Sequence, residues 1–422
     1  MAGGRARAAS AMILAAALAA GAPALAVEMR HAQVAPLSFE LLDGWTNDDL
    51  AAAFATYQKS CGAILQATPA MRKARPLYGG LYTACEAART LAAAGPVDRE
   101  AARKFFEDNF KPVRIEPHHQ FDGFFTGYYE TEVDGSRTPT DQYKVPLYSP
   151  PKSLIGKTST VFGGYDRKDI EAGALKGKGL EICYVKDPAD AFFAQIQGST
   201  RVKLDDGTLL RLNYIASNGK PYTPVGKILI DRGIYTREEM SMDKIREYME
   251  ANPKDGEELR LKNRSYVFFS ETALGPQDEC IGSSGIALTP GRSLAVDPAY
   301  HIYGTPIWVQ AEFPINGLAP VDPFHHLMFA QDTGSAIKGP ARADIYFGHG
   351  ETVEHVAGRI KQFGHFVMLV PKDVALTGQP LPPFIPLPRP RPKDIATEEA
   401  MAKGKAPPDA GTVSTTASVP HP

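Results

Sequence analysis

The 422-residue sequence has almost no net charge and lacks the motifs of several common enzyme classes. Its 46 basic and 48 acidic residues leave a formal net charge of −2, which gives no electrostatic reason to expect a nucleic-acid partner. It contains no GxSxG nucleophile elbow, no Walker A sequence and no HExxH. These absences argue against serine-hydrolase, P-loop nucleotide and zinc-protease chemistry.

Cysteine and histidine are too few and too poorly spaced to suggest a metal site. The four cysteines form no CxxC pair, the spacing that structural zinc sites use. The adjacent histidines at 118–119 and at 325–326 would point to opposite faces of a strand. We therefore expect no metal and no cofactor.

The even number of cysteines instead suggests disulfides if the chain is exported. Cys61 and Cys85 lie in adjacent predicted helices, so we expect them to pair. Cys183 would then pair with Cys280. The alternative is that these two remain buried free thiols.

The first 26 residues are typical of a signal peptide. Arg5 and Arg7 precede an apolar, alanine-rich stretch at 12–20, and Ala24-Leu25-Ala26 forms an A-x-A cleavage site. The apolar stretch is too short and too weakly hydrophobic to span about 30 Å of hydrocarbon, and no other segment is a candidate. No cysteine follows the cleavage site, so we expect export without an N-terminal lipid or a membrane anchor.

The remaining sequence begins with helices and then becomes rich in strands. Helical spacing predicts a helix at 46–66 capped by Thr46, and Asp98 is a suitable cap for a later helix. From residue 124 onward, aromatic and β-branched residues favour strands. The predicted strands include Glu181–Val185, Phe192–Gln197 and Thr200–Leu204.

The C-terminal part has two different characters. Residues 284–372 have the pattern of short strands separated by glycines, which indicates a small closed barrel. Residues 376–422 are proline-rich and then rich in alanine, lysine, serine and threonine, so they form a predicted disordered tail.

Three aspartates of the barrel region are candidates for acid chemistry. Asp297, Asp332 and Asp344 each follow or lie among apolar residues, as at a strand end. Burial beside apolar groups raises a carboxyl pKa, which is what a general acid needs at neutral pH. The alternatives are structural, since Asp297 before Pro298 suits a turn and Asp332 before a Thr-Gly pair suits an Asx-turn.

Aromatic residues beside turns or glycines are candidates for a sugar-binding groove, because sugar rings present flat C–H faces that stack on aromatic faces. The alternative for each ring is burial in the core. A further candidate is Gln197-Gly198-Ser199, where the glycine permits close approach of a ligand to the backbone. The candidate rings are Tyr128, Tyr129, Tyr214, Tyr222, Trp308 and Tyr346.

Ordered motifs recur along residues 120–372 and together resemble one family. They are Phe125-Thr126-Gly127-Tyr128-Tyr129, Gln197-Gly198-Ser199, Tyr214 with Ser217-Asn218-Gly219-Lys220-Pro221-Tyr222, Asn263-Arg264-Ser265-Tyr266-Val267-Phe268-Phe269, Leu288-Thr289-Pro290-Gly291-Arg292-Ser293 through Asp297, Gly304-Thr305-Pro306, and Gln331-Asp332-Thr333-Gly334 through Asp344-Ile345-Tyr346-Phe347-Gly348. The set resembles the lytic murein transglycosylase A (MltA) family. Its last stretch resembles the three-aspartate signature of a double-psi β-barrel.

The resemblance implies a mainly β fold of the α+β class. Residues 27–130 and 262–375 would form helices and a double-psi β-barrel, which is the catalytic domain of the family. Residues 131–261 would form an inserted β-rich substrate-binding domain. The glycan would lie in the groove between the two, a usual place for a ligand.

The resemblance also implies a reaction. It is cleavage of the β-1,4 bond between N-acetylmuramic acid and N-acetylglucosamine without water, which leaves a 1,6-anhydromuramic end. The family is one of exotransglycosylases, a kind of lyase, although these residues do not themselves distinguish exo from endo cleavage. By the family's motif Asp344 would be the catalytic acid, with Asp332 and Asp297 as supporting acids. The implied substrate-binding residues are Thr126, Gly127, Tyr128, Tyr129, Gln197, Gly198, Ser199, Tyr214, Tyr222 and Tyr346.

The expected partner is peptidoglycan in the periplasm of a Gram-negative envelope, and the tail is a candidate contact for other cell-wall enzymes. Two alternatives stay open. One is a hydrolytic muramidase or endoglucanase-like glycosidase, which would need two acids. The other is a non-catalytic module that binds peptidoglycan.

Overall fold

The computed structural model describes residues 27–118, 120, 122–152, 165–237, 239–317 and 321–374. The predicted signal peptide and the predicted proline-rich tail lie outside these residues. The strands are β1 Val27–Met29, β2 Ala32–Pro36, β3 Phe110–Pro117, β4 Gly123–Ser136, β5 Val145–Tyr148, β6 Glu181–Val185, β7 Ser199–Leu204, β8 Leu209–Ser217, β9 Val267–Thr272, β10 Ser293–Val296, β11 Pro306–Phe313, β12 Asp322–Asp332, β13 Arg342–His349 and β14 Lys361–Pro371.

Helices lie before and between these strands. They are α1 Leu50–Ile64, α2 Pro69–Ala74, α3 Pro76–Ala93, α4 Arg99–Asn109, α5 Arg167–Asp169, α6 Pro188–Gln197, α7 Val225–Asp231, α8 Met242–Ala251, α9 Pro253–Lys262 and α10 Glu351–Ala357. Two short 3-10 turns, Phe39–Leu41 and Trp45–Asn47, precede α1, and a π-turn, Ile170–Ala174, continues α5. Every helix among the described residues is too short or too polar to cross a bilayer.

Six strands close into a barrel. Their order around the ring is β14, β11, β12, β10, β13 and β4, and β4 pairs with β14 to complete it. The pairs β10–β12 and β13–β4 are parallel, and the other four pairs are antiparallel. The predicted fold class, α+β with a small barrel in the C-terminal part, is confirmed.

Strand β4 is long enough to belong to two sheets. Its first half lies in the barrel, whereas residues 131–136 pair with β7 and β6 in a second sheet that β5, β8 and β9 complete. The second sheet has its own apolar core, which includes Leu147, Leu212 and Phe269. The domain limits at residues 131 and 261 stay a prediction.

The N-terminal helices cover one side of the barrel through a cluster of aromatic rings. The ring centre of Tyr57 of α1 lies 5.7 Å from that of Phe329 of β12 and 6.0 Å from that of Phe106 of α4. Asp98 caps α4, as predicted, by accepting a hydrogen bond from the Ala101 backbone N–H.

Two local predictions were wrong. Asp49 caps α1, not Thr46, because the chain first makes a 3-10 turn that contains Thr46. The predicted strand Phe192–Gln197 is part of helix α6. Asp187 accepts hydrogen bonds from the first turn and Pro188 occupies the first helical position, which together start a helix.

One of the two expected disulfides forms. Cys61 and Cys85 join α1 to α3, with Cα atoms 5.3 Å apart. The expected pair of Cys183 with Cys280 is wrong, because Cys183 lies in the core of the second sheet and Cys280 packs against the barrel beside Tyr128. Burial raises the pKa of each of these thiols to about 12, so both remain protonated at neutral pH.

A buried ion cluster holds β4 where it passes from the barrel to the second sheet. Glu130 is fully buried and accepts hydrogen bonds from Arg201 Nε at 2.9 Å and from Arg211 Nη2 at 2.8 Å. The same guanidinium groups donate to the backbone carbonyls of Pro276 and Asp278. The cluster therefore ties β4, β7 and β8 to the loop that follows β9.

We predict that Glu130→Gln destabilises the protein by about 3–5 kcal/mol, because it leaves two buried guanidinium groups without a counter-charge. Denaturant unfolding measures this loss. The matched control is Glu132→Gln, two residues along the same strand, where the carboxylate pairs at the surface with Lys203 at 3.4 Å and with His349 at 3.0 Å and the expected change is about 0–1 kcal/mol. Equal losses in the two variants would contradict the role given to the cluster.

Candidate active site

Asp344 lies on the outer face of the barrel, on β13. Its neighbours Ala343 and Ile345 are fully buried. Because successive side chains of a strand alternate, Asp344 points outward, where it is partly exposed. The parallel pairing of β13 with β4 puts Thr126 beside it. The Thr126 hydroxyl donates a hydrogen bond of 2.6 Å to Asp344 Oδ1. In the part of the chain that the structure describes, Oδ2 accepts no hydrogen bond, so it is the oxygen left for chemistry.

Arg342 stands two residues before Asp344 on the same face of β13. Its Nη2 donates to Thr126 Oγ1 at 2.7 Å, and its guanidinium lies 5.2 Å from the centre of the Phe124 ring. Because the Thr126 oxygen accepts from Arg342, its own proton is directed at Asp344. Arg342 was not among the predicted site residues, although strand alternation in Arg342-Ala343-Asp344 places it on the face of Asp344.

Opposing influences act on the proton of Asp344. Burial is the largest and raises the pKa of the Asp344 carboxyl. The charge of Arg342 and the hydrogen bond from Thr126 lower the pKa, the charge of Asp332 raises it, and the net result is a rise. A carboxyl with a raised pKa holds its proton nearer to neutral pH, as a general acid must.

Asp332, at the end of β12, is held by hydrogen bonds on both oxygens. Its Oδ1 accepts from the Ser283 backbone N–H at 2.8 Å and from the Ser283 hydroxyl at 2.7 Å. Its Oδ2 accepts from the Tyr128 hydroxyl at 2.9 Å. Burial raises the pKa of Asp332 although these bonds lower it. The geometry suits a supporting acid better than a reacting one.

Asp297 organises the turn after β10 and does not reach outward. Its carboxylate accepts from the backbone N–H groups of Ala299 and Gly339. Nearby, the fully buried His301 donates from Nε2 to the Pro340 carbonyl at 2.6 Å. Asp297 and His301 thus fix the segment that leads into β13. Burial lowers the pKa of His301 to about 4, so its ring is neutral at neutral pH.

The Gln197-Gly198-Ser199 segment connects helix α6 to β7 beside the barrel strand β4. The Gln197 side-chain oxygen accepts from the Tyr129 backbone N–H at 3.1 Å. Gly198 ends the helix with a φ of +86°, which an L side chain adopts only under strain. Its carbonyl accepts from the Tyr214 backbone N–H at 2.7 Å. The segment is therefore fixed by backbone hydrogen bonds, and Ser199 is buried.

Tyr222 lies in the segment between β8 and β9, close enough to Asp344 for the charge of Asp344 to act on it. Burial and the charge of Asp344 raise the pKa of Tyr222 to about 12, so its hydroxyl stays a hydrogen-bond donor. On this side of the barrel, Lys361 Nζ also donates to the Arg237 and Met240 carbonyls at 2.7 and 2.8 Å. Asp344 therefore lies where the barrel face meets the segment between β8 and β9.

The candidate aromatic residues differ in exposure. Tyr214 is 40% exposed. Trp308 is fully buried and packs 5.3 Å from Trp45, so its prediction as a groove ring was wrong. Turn signals near a ring do not show which face of a strand it occupies.

Three further tyrosines contribute hydroxyl groups and no open ring face. Tyr128, Tyr129 and Tyr346 are buried, and the rings of Tyr128 and Tyr346 lie 5.3 Å apart. The Tyr346 hydroxyl donates to Glu279 and the Tyr129 hydroxyl to Glu354, each at 2.7 Å. Neither glutamate was among the predicted site residues, because both come from segments distant in the sequence.

Close packing against α10 explains why residue 127 is a glycine. A Cβ atom at this position would lie 2.8 Å from the Ala357 carbonyl oxygen of α10. A larger residue would push α10 away from β4. A part for Gly127 in binding substrate stays a prediction.

Two family models match the chain. They are the MltA specific insert domain, over residues 124–270, and the 3D domain, over residues 292–370. The crystal structure of a membrane-bound lytic murein transglycosylase from Agrobacterium tumefaciens is 33% identical with a TM-score of 0.70, and the match covers 80% of this chain and 98% of that one. The chain belongs to the MltA family.

Other relatives agree with this placement. The membrane-bound lytic murein transglycosylase A of Vibrio cholerae is 37% identical over 245 residues, which are 57% of this chain and 63% of that protein. The match thus spans slightly less than two thirds of that relative. The crystal structure of Escherichia coli MltA with bound chitohexaose is 29% identical with a TM-score of 0.59, covering 80% of this chain and 91% of that one.

We predict that Arg342→Gln raises the pKa of Asp344, because it removes the positive charge that stabilises the carboxylate. Carboxyl-carbon NMR of labelled aspartate across a pH titration measures this pKa. The control Arg342→Lys keeps the charge and should leave the pKa closer to that of the wild type. An unchanged or lower pKa in Arg342→Gln would show that Arg342 does not act on Asp344.

We also predict that His301 makes the protein less stable in mild acid. Unfolded histidine binds a proton as the pH falls through about 6.5, whereas the folded His301 does so only near 4. The contribution of the neutral His301 to the free energy of unfolding is therefore complete above pH 6.5 and is lost as the pH falls towards 4.

Between pH 7 and pH 5 this loss amounts to about 2 kcal/mol. Unfolding free energies at the two pH values should differ more for the wild type than for His301→Gln, which has no titrating ring. Equal pH dependence in both proteins would rule out a buried, neutral His301.

Proposed function

We propose that the chain is a peptidoglycan lytic transglycosylase. It cleaves the β-1,4 bond between N-acetylmuramic acid and N-acetylglucosamine and leaves a 1,6-anhydromuramic end. The observation that carries this proposal is one partly buried carboxyl, Asp344, whose pKa is raised and which, within the described residues, accepts a hydrogen bond on Oδ1 only.

The surroundings of Asp332, the acid whose charge acts on Asp344, favour attack by the substrate's own hydroxyl over hydrolysis. A glycosidase that uses water needs a second carboxyl to activate the water or to form a covalent intermediate. Asp332 is the acid whose charge acts on Asp344, but it is occupied by Ser283 and Tyr128. A nucleophile that belongs to the substrate removes the need for that second acid.

The reaction then uses one carboxyl twice. Protonated Asp344 gives its proton from Oδ2 to the glycosidic oxygen, and the bond from that oxygen to C1 breaks. The C6 hydroxyl of the same muramic residue attacks C1, and the Asp344 carboxylate takes the hydroxyl proton. Thr126 keeps the carboxyl oriented throughout, and the Tyr222 hydroxyl donates a hydrogen bond to the sugar.

The relatives support the substrate class. The Vibrio cholerae and Agrobacterium tumefaciens proteins are named lytic murein transglycosylases, and the Escherichia coli structure holds chitohexaose, a chain of linked amino sugars. Peptidoglycan lies in the periplasm of Gram-negative bacteria, so we propose that compartment for the activity. The supporting observation is the signal-like sequence of the first 26 residues.

We predict that the purified protein releases muropeptides with anhydro ends from sacculi, and that Asp344→Asn slows this release by at least about a hundredfold, the usual contribution of a general acid. Mass spectrometry of the soluble products measures both. The control Asp108→Asn changes an exposed carboxylate on α4 that pairs with Lys104 and should keep wild-type turnover. Wild-type turnover in Asp344→Asn would refute the assignment of the acid.

Hydrolysis is the second candidate, and one observation favours it. Glu279 is a partly exposed carboxylate that accepts from Tyr346, and Tyr346 lies two residues beyond Asp344 on the same face of β13. If Glu279 activated water, the products would carry reducing ends and Glu279→Gln would abolish their release. Binding of sacculi without any soluble product would instead indicate a non-catalytic module.

A further inference from the structure

The barrel face that carries Asp344 continues across two neighbouring strands. On β4, Thr126 pairs with Asp344 and Phe124 pairs with Arg342. On β14, the residue paired with Phe124 is Phe363. Because side chains two residues apart on a strand share a face, these five side chains lie on one surface.

Phe363 is the exposed end of a row of three side chains in contact on this surface. It is 51% exposed, and its ring centre lies 5.1 Å from that of Phe124 at an angle of 49°. The Arg342 guanidinium lies 5.2 Å from the centre of the Phe124 ring. Phe124 is therefore in contact with both neighbours, while Phe363 keeps a ring surface free for a ligand.

Exposure of a single phenylalanine is not by itself evidence of a binding site. The position of Phe363 is the distinguishing feature, since it is linked through Phe124 and Arg342 to the Thr126–Asp344 hydrogen bond. A single ring is also far smaller than the area that a stable protein partner needs. Lys361 and His365, two residues to either side of Phe363 on β14, lie on the same face of the strand.

We propose that Phe363, supported by Phe124, is a subsite on which an N-acetylhexosamine ring of the glycan strand stacks. The inference rests on the proposed function and extends it to a sugar beyond the cleaved bond. Strands are about 4.8 Å apart and residues about 3.3 Å apart along a strand, so the Phe363 backbone lies roughly 12 Å from that of Asp344. This distance exceeds one sugar ring, so Phe363 meets a neighbouring sugar and not the reacting one.

A sugar ring and the Phe363 ring have complementary surfaces. The C–H face of a pyranose ring is apolar and can cover an aromatic face, while its hydroxyl and acetamido groups point sideways to water or to polar side chains. Contact with Phe124 restrains the Phe363 ring, which reduces the entropy lost when a sugar binds.

The test is binding of chitohexaose by calorimetry, with Asp344→Asn present in every protein so that no turnover occurs. Phe363→Ala should weaken binding about tenfold, the scale of one aromatic contact with its buried area. Phe363→Tyr keeps the ring face and should bind as tightly as the parent. Leu41→Ala is the control, because Leu41 is 68% exposed in the 3-10 turn Phe39–Leu41.

The outcomes separate this inference from the proposed function. Chitohexaose affinity that is unchanged in Phe363→Ala, or that falls equally in Leu41→Ala, overturns the subsite. Loss of affinity in Phe363→Ala alone, with an unchanged free energy of unfolding, supports it. If Phe363→Ala weakens chitohexaose binding in the Asp344→Asn background, yet the wild-type protein releases no anhydro muropeptides, the subsite stands and the catalytic proposal fails.

Discussion

The parallel pairing of β13 with β4 is the constraint on which the rest of the site depends. It sets Thr126 directly beside Asp344, so the hydroxyl that holds the carboxyl comes from a strand more than two hundred residues earlier in the chain. Strand β4 then continues into the second sheet. One strand therefore fixes the acid on the barrel and also positions the second sheet, where Tyr222 lies in the segment that connects β8 to β9. A shift of one residue in this pairing would turn Thr126 into the barrel interior.

The pKa of Asp344 depends on opposing influences, of which burial is the largest. A carboxyl beside a guanidinium is ordinarily more acidic than usual, and Arg342 does act in this direction. Burial raises the pKa of Asp344 by more than Arg342 lowers it, and the charge of Asp332 raises it further. The Thr126 hydroxyl stands between Arg342 and Asp344, which separates the two charges while keeping the carboxyl in place. A direct ion pair would instead hold Asp344 ionised and unable to donate a proton.

The fold class, the Cys61–Cys85 bridge and strand β7 were predictable because each depends on local pattern or short sequence separation. The buried cluster around Glu130 and the burial of Trp308 were not, since each is decided by strands far apart in the sequence. The failed strand at Phe192–Gln197 shows a different limit. Two adjacent phenylalanines suit a strand as well as a helix, and the capping residues just before them decided the outcome.

The most direct test of the account is a crystal structure of Asp344→Asn with a peptidoglycan oligosaccharide bound. The account predicts that the side-chain atom replacing Oδ2 lies within hydrogen-bonding distance, about 2.6–3.2 Å, of the oxygen that links N-acetylmuramic acid to N-acetylglucosamine. The C6 hydroxyl of that muramic residue should face C1 of the same ring. A glycan that lies away from position 344, or a C6 hydroxyl turned away from C1 with an ordered water in its place, would contradict it.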